Sequence, residues 1–487
     1  MGQWGEQVAA SVVPPSVKGV ALVTQVHPIK RTRGARRRHD APLPHVHRAG
    51  RYNGIMHIRR IEIENIRVIK HLIWELPEEQ KGAGWHVILG DNGSGKTSFI
   101  RSVGYSLLSP SERSRLPMSG FQLRNKKSPQ SKIVIRIEAN QKYDSYEHFS
   151  EEGQTFESQI SISSEVEFFL FFHDLKESPP VPIWKENNDT TRIKGWFSIS
   201  FGPERRFASA SSFQNSVLED YPQVHRHAPA FSESISLTKP LPWLQLLRFE
   251  QLEKQSNSAK ILEYVLKFVN QTEFLAHDTK IIEVTSKEVV IEDANGNRVS
   301  AEEMSDGYRS VLSLTFELIR QLVDCFGVDK VFDPEDATRI IAPGVVQIDE
   351  VDAHLHPTWQ HRIGDWFTTH FPNIQFIVTT HSPIICQAAD TVFKLPTPGT
   401  DEVGEFVTGN ALLRLKYGSV SEAYGTGVFG VGVERSEEAK GLMDELAALN
   451  IKELDNDLTD DEIERQEFLR GLFPSNASVG LPRRRAQ

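Results

Sequence analysis

The sequence predicts an α/β fold with a mixed sheet built around parallel strands, and three strand ends predict it. Val87–Leu89 is a short apolar run that passes through a glycine-rich loop into a helix predicted from Phe99 to Leu108. Val345–Ile348 ends in two carboxylates, and Phe376–Thr380 ends in a histidine. Since ligands of α/β folds bind at the carboxyl ends of parallel strands, these polar ends predict one shared site.

The composition is that of an ordinary globular chain of 487 residues, with 39% hydrophobic and 25% charged residues. This excludes collagen-like, fibrous and wholly disordered proteins. No apolar run reaches the roughly 18 residues that a membrane-spanning helix needs, so no membrane partner is expected. Two cysteines, Cys325 and Cys386, cannot build a disulfide framework, which favours a cytoplasmic location. The net charge of −10 argues against a protein that passively coats DNA.

Residues 1–55 are predicted to be a disordered basic leader in front of the folded body. They carry nine Lys or Arg residues against two acidic ones and show no helix or strand period. A nucleic-acid-binding arm, an organelle transit peptide and a natural start at Met56 are the alternatives. After Met56, Ile58, Ile61 and Ile63 are separated by charged residues, which is typical of a half-buried strand.

Gly90–Thr97, followed by Ser98, matches the pattern G-x-x-x-x-G-K-[ST] in the strand–loop–helix context that a phosphate-binding loop requires. The glycines allow backbone N–H groups to turn toward phosphates, and the helix N-terminus adds positive potential. Lys96 is expected to reach the β- and γ-phosphates of ATP, and the Thr97 hydroxyl is expected to bind Mg²⁺. The predicted nucleotide-binding residues of this loop are Gly90, Asn92, Gly93, Gly95, Lys96, Thr97 and Ser98.

Asp349 and Glu350 are predicted to be a metal ligand and a catalytic base. Asp349 would hold Mg²⁺ through water, and Glu350 would orient and deprotonate the attacking water. Two acids at a strand end would, taken alone, indicate a solvated surface, but the phosphate loop in the same chain favours the catalytic interpretation. Gln347, inside the strand, is predicted to make an inter-strand hydrogen bond.

His381 and Ser305 extend the predicted site. His381 follows Asp349 by 32 residues, which is enough for a helix and the next parallel strand, so it is expected at the same sheet edge as a donor to the γ-phosphate. Ser305 and Gly307 open a predicted helix, where backbone N–H groups can bind an anion. A plain helix N-cap is the alternative interpretation of Ser305.

These motifs, in this order, resemble the Walker A, signature, Walker B and switch-histidine motifs of ABC-type ATPases. The resemblance is to the SMC/RecF/OLD branch and, more narrowly, to ATPases of Septu systems and some retrons, which accompany an HNH nuclease. It covers roughly Met56 to Asp390. The motif segments are Gly90–Thr97, Ser305–Tyr308, Ile348–Glu350 and His381, preceded by Asn65–Arg67.

The resemblance implies a homodimer or higher oligomer in which two protomers enclose two nucleotides. Ser305 and Gly307 would then contact the ATP bound by the other protomer, and Arg67 would reach toward the nucleotide. Asp306 and His356 depart from the residues usual in the family. No glutamine is assigned to the Q-loop; Gln122 and the turn Gly202–Arg206 are the two candidates for that metal- and γ-phosphate-sensing position.

The domain organisation is predicted from the spacing of the motifs. The ATPase domain would span 56–430, with an α+β insertion at about 120–290 that lacks the heptads of long-coil SMC proteins. Residues 431–487 are predicted to be an acidic helical arm with a disordered tip, in which Thr459 and Glu462 form a capping box. The arm could bind a partner or a second copy, or pack on its own body.

The predicted function is that of a Mg²⁺-dependent ATPase acting as the dimeric sensor or engine of a DNA-directed, anti-phage complex. Cleavage would come from a separate nuclease subunit, because the sequence shows no second acidic cluster, HNH motif or cysteine-rich metal site. One alternative is a RecF-like DNA-repair ATPase that binds DNA itself. Another is the ATPase of a transporter, which the long segment between Thr97 and Ser305 argues against.

Overall fold

The computed structural model describes residues 57–138, 155–173, 197–205, 221–232, 237, 239–271, 274–275, 279–400, 402–429, 436–454 and 458–473. All of them belong to one unit, Tyr52–Gln487. The predicted leader and the tip after Phe473 lie outside the described residues. Within the ranges given, no helix combines the length and apolar character that crossing a bilayer requires.

The strands are numbered in chain order. They are β1 His57–Ile66, β2 Ile69–Glu75, β3 Gly84–Leu89, β4 Gln130–Glu138, β5 Thr155–Ser163, β6 Glu167–His173, β7 Ser198–Phe201, β8 Lys280–Val284, β9 Val289–Glu292, β10 Arg298–Ser300, β11 Gly344–Ile348, β12 Ile374–Thr380, β13 Thr391–Lys394 and β14 Glu405–Phe406.

The α-helices are numbered in the same way. They are α1 Lys96–Ser106, α2 Pro110–Arg113, α3 Gly120–Leu123, α4 Pro222–Phe231, α5 Pro240–Leu252, α6 Ser256–Val269, α7 Asp306–Phe326, α8 Val328–Val331, α9 Pro357–His370, α10 Gly409–Tyr417, α11 Val420–Tyr424, α12 Glu437–Leu454 and α13 Asp460–Leu472.

The central sheet is mixed, as the sequence predicts. Strands β13, β3, β12, β11 and β7 lie side by side and parallel, and β14 pairs antiparallel with β13 at one edge. Every residue of β7, β11 and β12 is buried, because both faces of the sheet are covered. This order makes β12 the common neighbour of β3 and β11, so the carboxyl ends of the three strands adjoin.

A second, antiparallel sheet has the order β2-β1-β4-β5-β6. In β1, Ile58, Ile61 and Ile63 are fully buried, whereas Glu62 and Glu64 are half-buried. The buried Gln375 side chain of β12 links the two sheets, since its amide accepts a hydrogen bond from the Ile58 N–H at 2.7 Å and donates to the Ile58 carbonyl at 2.9 Å. Ile58 lies at a register shift between β1 and β4, and Gln375 satisfies its backbone groups there.

Two apolar cores lie on opposite faces of the central sheet. Helix α1 occupies the face toward the antiparallel sheet, where Phe99 and Val103 share a core with Ile88 and Ile377. The other face, represented by Val346, packs against helices that include α7 and α9. The phosphate-loop helix is therefore held between the two sheets.

The segment predicted as an insertion at about 120–290 supplies strands to both sheets. Strands β4, β5 and β6 extend the antiparallel sheet from β1, and β7 pairs with β11 at the edge of the central sheet. Part of the segment predicted as an insertion is thus built into both sheets. Helices α5 and α6 are separated by a break at which Lys254 has a φ of 64°.

The C-terminal arm contains two helices that contact each other, α12 and α13. The predicted capping box is confirmed, since the Thr459 side chain accepts from the Glu462 N–H and the Glu462 carboxylate accepts from the Thr459 N–H. Ion pairs between Glu445 and Arg465, and between Glu453 and Arg470, join the helices. The buried Gln466 side chain donates to Asn450 at 3.0 Å.

Candidate functional site

The predicted site residues follow three neighbouring strands of the central sheet. The phosphate loop follows β3, His381 follows β12, and Asp349 and Glu350 follow β11. Strand β12 pairs with β3 on one side, where Thr380 lies opposite Leu89, and with β11 on the other, where Val378 lies opposite Ile348. The structure therefore brings these residues to the same sheet edge.

The phosphate loop has the backbone that its glycines require. Gly93 and Gly95 have φ angles of 81° and 102°, a region that L side chains rarely adopt. A Cβ at Gly95 would also lie 2.8 Å from Ile69, which means that the β1–β2 turn leaves no space for a larger residue. Asn92 and Gly93 are exposed at the loop apex, whereas Ser98 is buried in the first turn of α1.

The Lys96 ammonium lies inside this loop. Its Nζ donates to the carbonyls of Gly90 at 2.9 Å and Asp91 at 3.0 Å. Burial lowers the pKa of Lys96, and the nearby carboxylates of Glu350 and Asp349 oppose that shift. A partly desolvated ammonium group that lies among the backbone groups of a phosphate loop is suited to binding phosphate oxygens.

Thr97 and Asp349 supply oxygen atoms of the kind that Mg²⁺ prefers. Thr97 is half-buried in the first turn of α1, and Asp349 is 1% exposed at the end of β11. The Thr379 hydroxyl donates to Asp349 Oδ1 at 2.6 Å. A hydroxyl and an oriented carboxylate beside a lysine fit a Mg²⁺-nucleotide, so the residues present are compatible with that cofactor.

Glu350 stands on a strained backbone. Its φ is 47°, in the left-handed region that is uncommon for residues other than glycine. Its N–H donates to the Thr379 hydroxyl at 2.8 Å, so one hydroxyl fixes both carboxylate residues. The side chain is half-buried, which leaves a carboxylate at the sheet edge that is held in place by the main chain.

His381 follows Thr380, whose hydroxyl donates to Asp352 Oδ1 at 2.6 Å. Burial lowers the pKa of His381 below its usual value, and the positive charge of Lys96 lowers it further. The imidazole is therefore neutral near pH 7 and retains one N–H that can donate to an anion.

The Ser305–Gly307 turn lies at the start of α7. Ser305 occupies the N-cap position and is exposed, but its side chain makes no capping hydrogen bond. A Cβ at Gly307 would lie 3.0 Å from the carbonyl oxygen of His354, so this turn packs on the loop that follows Glu350. Asp306 pairs with Arg309 on the same helix. The alternative interpretation, in which the Ser305 hydroxyl caps α7, does not match this geometry, because the hydroxyl accepts no hydrogen bond from the helix.

Arg67 lies in the turn between β1 and β2, which packs against the phosphate loop through Ile69. Its φ is 48°, and its N–H donates to the Leu123 carbonyl at 3.0 Å. The guanidinium is half-buried and lies 3.4 Å from the sulfur of Met118. Arg67 therefore belongs to a turn that lies next to the phosphate loop.

The two Q-loop candidates have different surroundings. Gln122 caps helix α3, because its side chain accepts from the Ser119 N–H at 2.8 Å. The turn after β7 lies beside β11, and its Arg205 is buried with its guanidinium directed at the backbone of Asp349 and Glu350. Arg206 lies outside the described residues.

One prediction about β11 is wrong. Gln347 is fully buried, but neither its amide nitrogen nor its amide oxygen has a hydrogen-bond partner. Its neighbours in the sheet are Ile377 on one side and Ser200 on the other, and the Ser200 hydroxyl bonds His227 instead. The expected inter-strand bond is therefore absent from this described part of the sheet.

Two functional contacts were missed by sequence reasoning. Thr379 bonds both Asp349 and Glu350, and Arg205 holds the backbone of the same two residues. The signal for Thr379 was present, since two adjacent threonines precede His381 at the end of an otherwise apolar strand. Arg205 lies in the turn Gly202–Arg206 that was a Q-loop candidate, but its contacts with Asp349 and Glu350 are 144 and 145 residues away and left no signal in the sequence.

Comparison with known proteins gives relatives among retron and Septu proteins. The Retron Ec83 probable ATPase of Escherichia coli is 24% identical over 400 residues, which is 69% of this chain and 71% of that protein. The Retron Vc95 probable ATPase of Vibrio cholerae is 28% identical over 42% of this chain and 44% of its own length. The Septu protein PtuA of Bacillus mycoides is 25% identical over 67% of this chain and 38% of its own length. The predicted resemblance to retron and Septu ATPases is confirmed.

Among solved structures, an Smc head bound to the C-winged helix domain of ScpA is similar at 15% identity. It covers 72% of this chain and 97% of that chain, with a TM-score of 0.44. RecF in its ATPrS-bound form has a TM-score of 0.40 and 12% identity, over 73% of this chain.

A family model matches residues 86–387, which is more than half of the chain and spans the segment from β3 to His381. Its description is "AAA domain, putative AbiEii toxin, Type IV TA system". The matched residues contain the phosphate loop, Asp349 and Glu350 in the arrangement described above. The chain therefore belongs to this AAA-domain family, and it is an ATPase.

Proposed function

We propose that the protein is a Mg²⁺-dependent ATPase that works as a homodimer with two composite sites and controls a separate nuclease in a bacterial defence complex. The observation that carries the proposal is the meeting of Lys96, Asp349, Glu350 and His381 at the ends of three adjacent parallel strands. The names of the retron and Septu relatives support the defence context.

Hydrolysis is assigned to the carboxylate of Glu350. Lys96 and the backbone of the phosphate loop would bind the phosphates, and Thr97 and Asp349 would hold Mg²⁺. When bound, Mg²⁺ supplies positive charge that offsets the charge developing on the transferred phosphoryl group. Glu350 orients the attacking water and accepts its proton, while neutral His381 donates its N–H toward the γ-phosphate.

Dimerisation is assigned from the turn at the start of α7. Ser305 is exposed at the N-cap position and its side chain makes no capping hydrogen bond, so its hydroxyl is available to an anion. ABC-type ATPases place this turn against the nucleotide of the other protomer. Ser305 and Gly307 would therefore complete the site that Lys96 and Glu350 of the partner begin.

Nuclease chemistry is assigned to another chain. Among the described residues, a single group of three side chains, Glu62, Glu64 and His71, has donor atoms spaced to hold a metal ion. Glu62 is already paired with Arg60 at 2.9 Å and Lys132 at 3.3 Å, and the group lies on the antiparallel sheet. Such an ion-paired surface cluster is a poor candidate for a nuclease centre.

The proposal is tested with the purified chain and with the product of its neighbouring gene. Alone with Mg²⁺ or Mn²⁺, the chain should hydrolyse ATP and leave plasmid and single-stranded DNA intact, and Lys96→Ala should lose the ATPase. Together with its neighbour it should form a stable complex whose nuclease activity changes with ATP. DNA cleavage by the isolated chain, abolished by a substitution outside the ATP site, would overturn the division of labour. Tight DNA binding by the isolated dimer would instead favour the RecF-like alternative.

A further inference from the structure

A buried arginine lies beneath the carboxylate turn of the ATPase site. Arg205 follows β7 and is 2% exposed. Its Nη1 donates to the carbonyls of Gly202 at 2.8 Å and Asp349 at 2.7 Å. Its Nη2 donates to the Glu350 carbonyl at 3.0 Å and makes a longer contact with that of Val351 at 3.4 Å.

Through these contacts, one guanidinium binds the carbonyls of three consecutive residues, Asp349, Glu350 and Val351. Such a turn is unfavourable alone, because the carbonyl dipoles converge and Glu350 has a φ of 47°. The planar guanidinium offers several N–H groups in a fixed fork, which a lysine cannot reproduce. Burial lowers the pKa of Arg205 to about 10, and nearby carboxylates, first among them that of Asp349, favour its charged form. The side chain therefore remains a cation at neutral pH.

The backbone of Arg205 is fixed from the opposite side by α7. The buried Ser313 hydroxyl donates to the Arg205 carbonyl at 2.7 Å and lies 3.1 Å from that of Ser310. Ser313 is on the same helix as the Ser305–Gly307 turn, eight residues further along. Arg205 thus joins the helix that carries this turn to the strand end that carries Glu350.

We propose that Arg205 is a positioning residue for Glu350, which holds the Asp349–Val351 turn so that the carboxylate faces the bound nucleotide, and that Ser313 fixes Arg205 relative to α7. The inference rests on the proposed role of Glu350 as catalytic base. It assigns Arg205 to the backbone of the carboxylate turn and not to contact with the nucleotide.

The first test separates catalysis from binding. Arg205→Lys should lower kcat on the order of tenfold to a hundredfold, because a small displacement of a catalytic group is costly, and leave KM and the affinity for a fluorescent ATP analogue within about twofold. The control is Arg113→Lys, since Arg113 is also 2% exposed but is paired with Glu167 in the antiparallel layer. Arg113→Lys should keep the wild-type kcat per folded protein even if its melting temperature falls.

The second test asks whether Arg205 acts through Glu350. In a Glu350→Gln background, Arg205→Lys should cause no further loss of kcat, because two residues that act as one unit are not additive. If Arg205→Lys does not fold, Ser313→Ala removes a single hydrogen bond and should lower kcat about threefold to tenfold with KM unchanged.

Each outcome decides between the assignments. A wild-type kcat in Arg205→Lys, or in Ser313→Ala where only that variant folds, would overturn the inference. So would a raised KM with unchanged kcat, which would instead indicate contact with the nucleotide. If Glu350→Gln itself hydrolyses ATP at the wild-type rate, the proposed function fails and not only the inference.

Discussion

Glu350 is the residue whose role is most sharply defined by its surroundings. Thr379 and Arg205 fix its backbone by hydrogen bonds. Its side chain is half-buried and is proposed to activate the attacking water. Glu350→Gln should therefore lower ATP turnover at least about a hundredfold, because the amide keeps the shape of the carboxylate but not its basicity. Binding of a fluorescent ATP analogue should be unchanged, in contrast to Lys96→Ala, which should lose it. Turnover at the wild-type rate would show that another group activates water.

His227 makes the stability of the fold depend on pH. The imidazole is fully buried between Ser198 at 2.9 Å and Ser200 at 2.7 Å, and burial lowers its pKa to about 3. Between that value and the usual pKa near 6.5, the unfolded chain binds a proton that the folded chain does not. The contribution of neutral His227 to the free energy of unfolding is therefore fully present above about pH 6.5 and is lost as the pH falls toward 3.

The contribution of His227 can be isolated by urea unfolding at pH 7 and pH 5. The wild type should lose about 2 kcal/mol more than His227→Gln over this interval, since the glutamine cannot be protonated. Equal losses would show that His227 is protonated in the folded protein. Other buried histidines, such as His57, lower the free energy of unfolding equally in the wild type and in His227→Gln. Their effect therefore cancels when the two losses are subtracted.

Local sequence patterns could predict the residues that define the site but not those that support it. Lys96 lies in a phosphate-loop pattern, and Asp349 and His381 each follow a recognisable strand pattern, so their positions follow from the chain order of an α/β fold. Arg205 contacts the carboxylate turn through long-range backbone bonds that no local pattern encodes. Gln347 was expected to find an inter-strand partner, but ladder bonds in a parallel sheet are made by the backbone, and the hydroxyl of the neighbouring Ser200 bonds His227.

At the scale of elements, the junction of the two sheets depends on Gln375. Replacing it with leucine leaves the buried N–H and carbonyl of Ile58 without partners. Gln375→Leu should therefore lower the free energy of unfolding by at least about 2 kcal/mol. Gln130→Leu is the control, because Gln130 is an exposed glutamine on β4. A loss no larger than that of the control, measured by urea unfolding, would show that the junction does not need this amide.

Element types were easier to predict than their partners. The alternation after Met56 predicts β1, and apolar runs predict β11 and β12, because burial imposes these patterns directly. The pairing of β4 with β1 and of β7 with β11 joins residues far apart in the chain, and the sequence analysis did not predict either pairing. Strand order depends on such non-local contacts, and local periodicity carries no information about them.

At the scale of the whole molecule, each chain would supply two half-sites to the proposed dimer. Lys96, Asp349 and Glu350 lie at one sheet edge, whereas Ser305 presents an exposed hydroxyl at the start of α7. A closed two-fold dimer would pair each half-site with its complement twice. ATP would then favour the closed dimer, and a partner protein that prefers one state would respond to the nucleotide.

The most direct test of this account is complementation between two inactive variants. Chains carrying Lys96→Ala and chains carrying Ser305→Arg are co-expressed, and the ATPase rate of the mixed dimers is measured. Random pairing should restore about a quarter of the wild-type rate, because half of the dimers then contain one intact composite site. As a matched control, Lys96→Ala mixed with Glu350→Gln should restore nothing, since each protomer then carries a damaged phosphate-loop half-site. Recovery in the first mixture alone is the predicted result; no recovery at any ratio, in dimers shown to mix, would contradict the composite site.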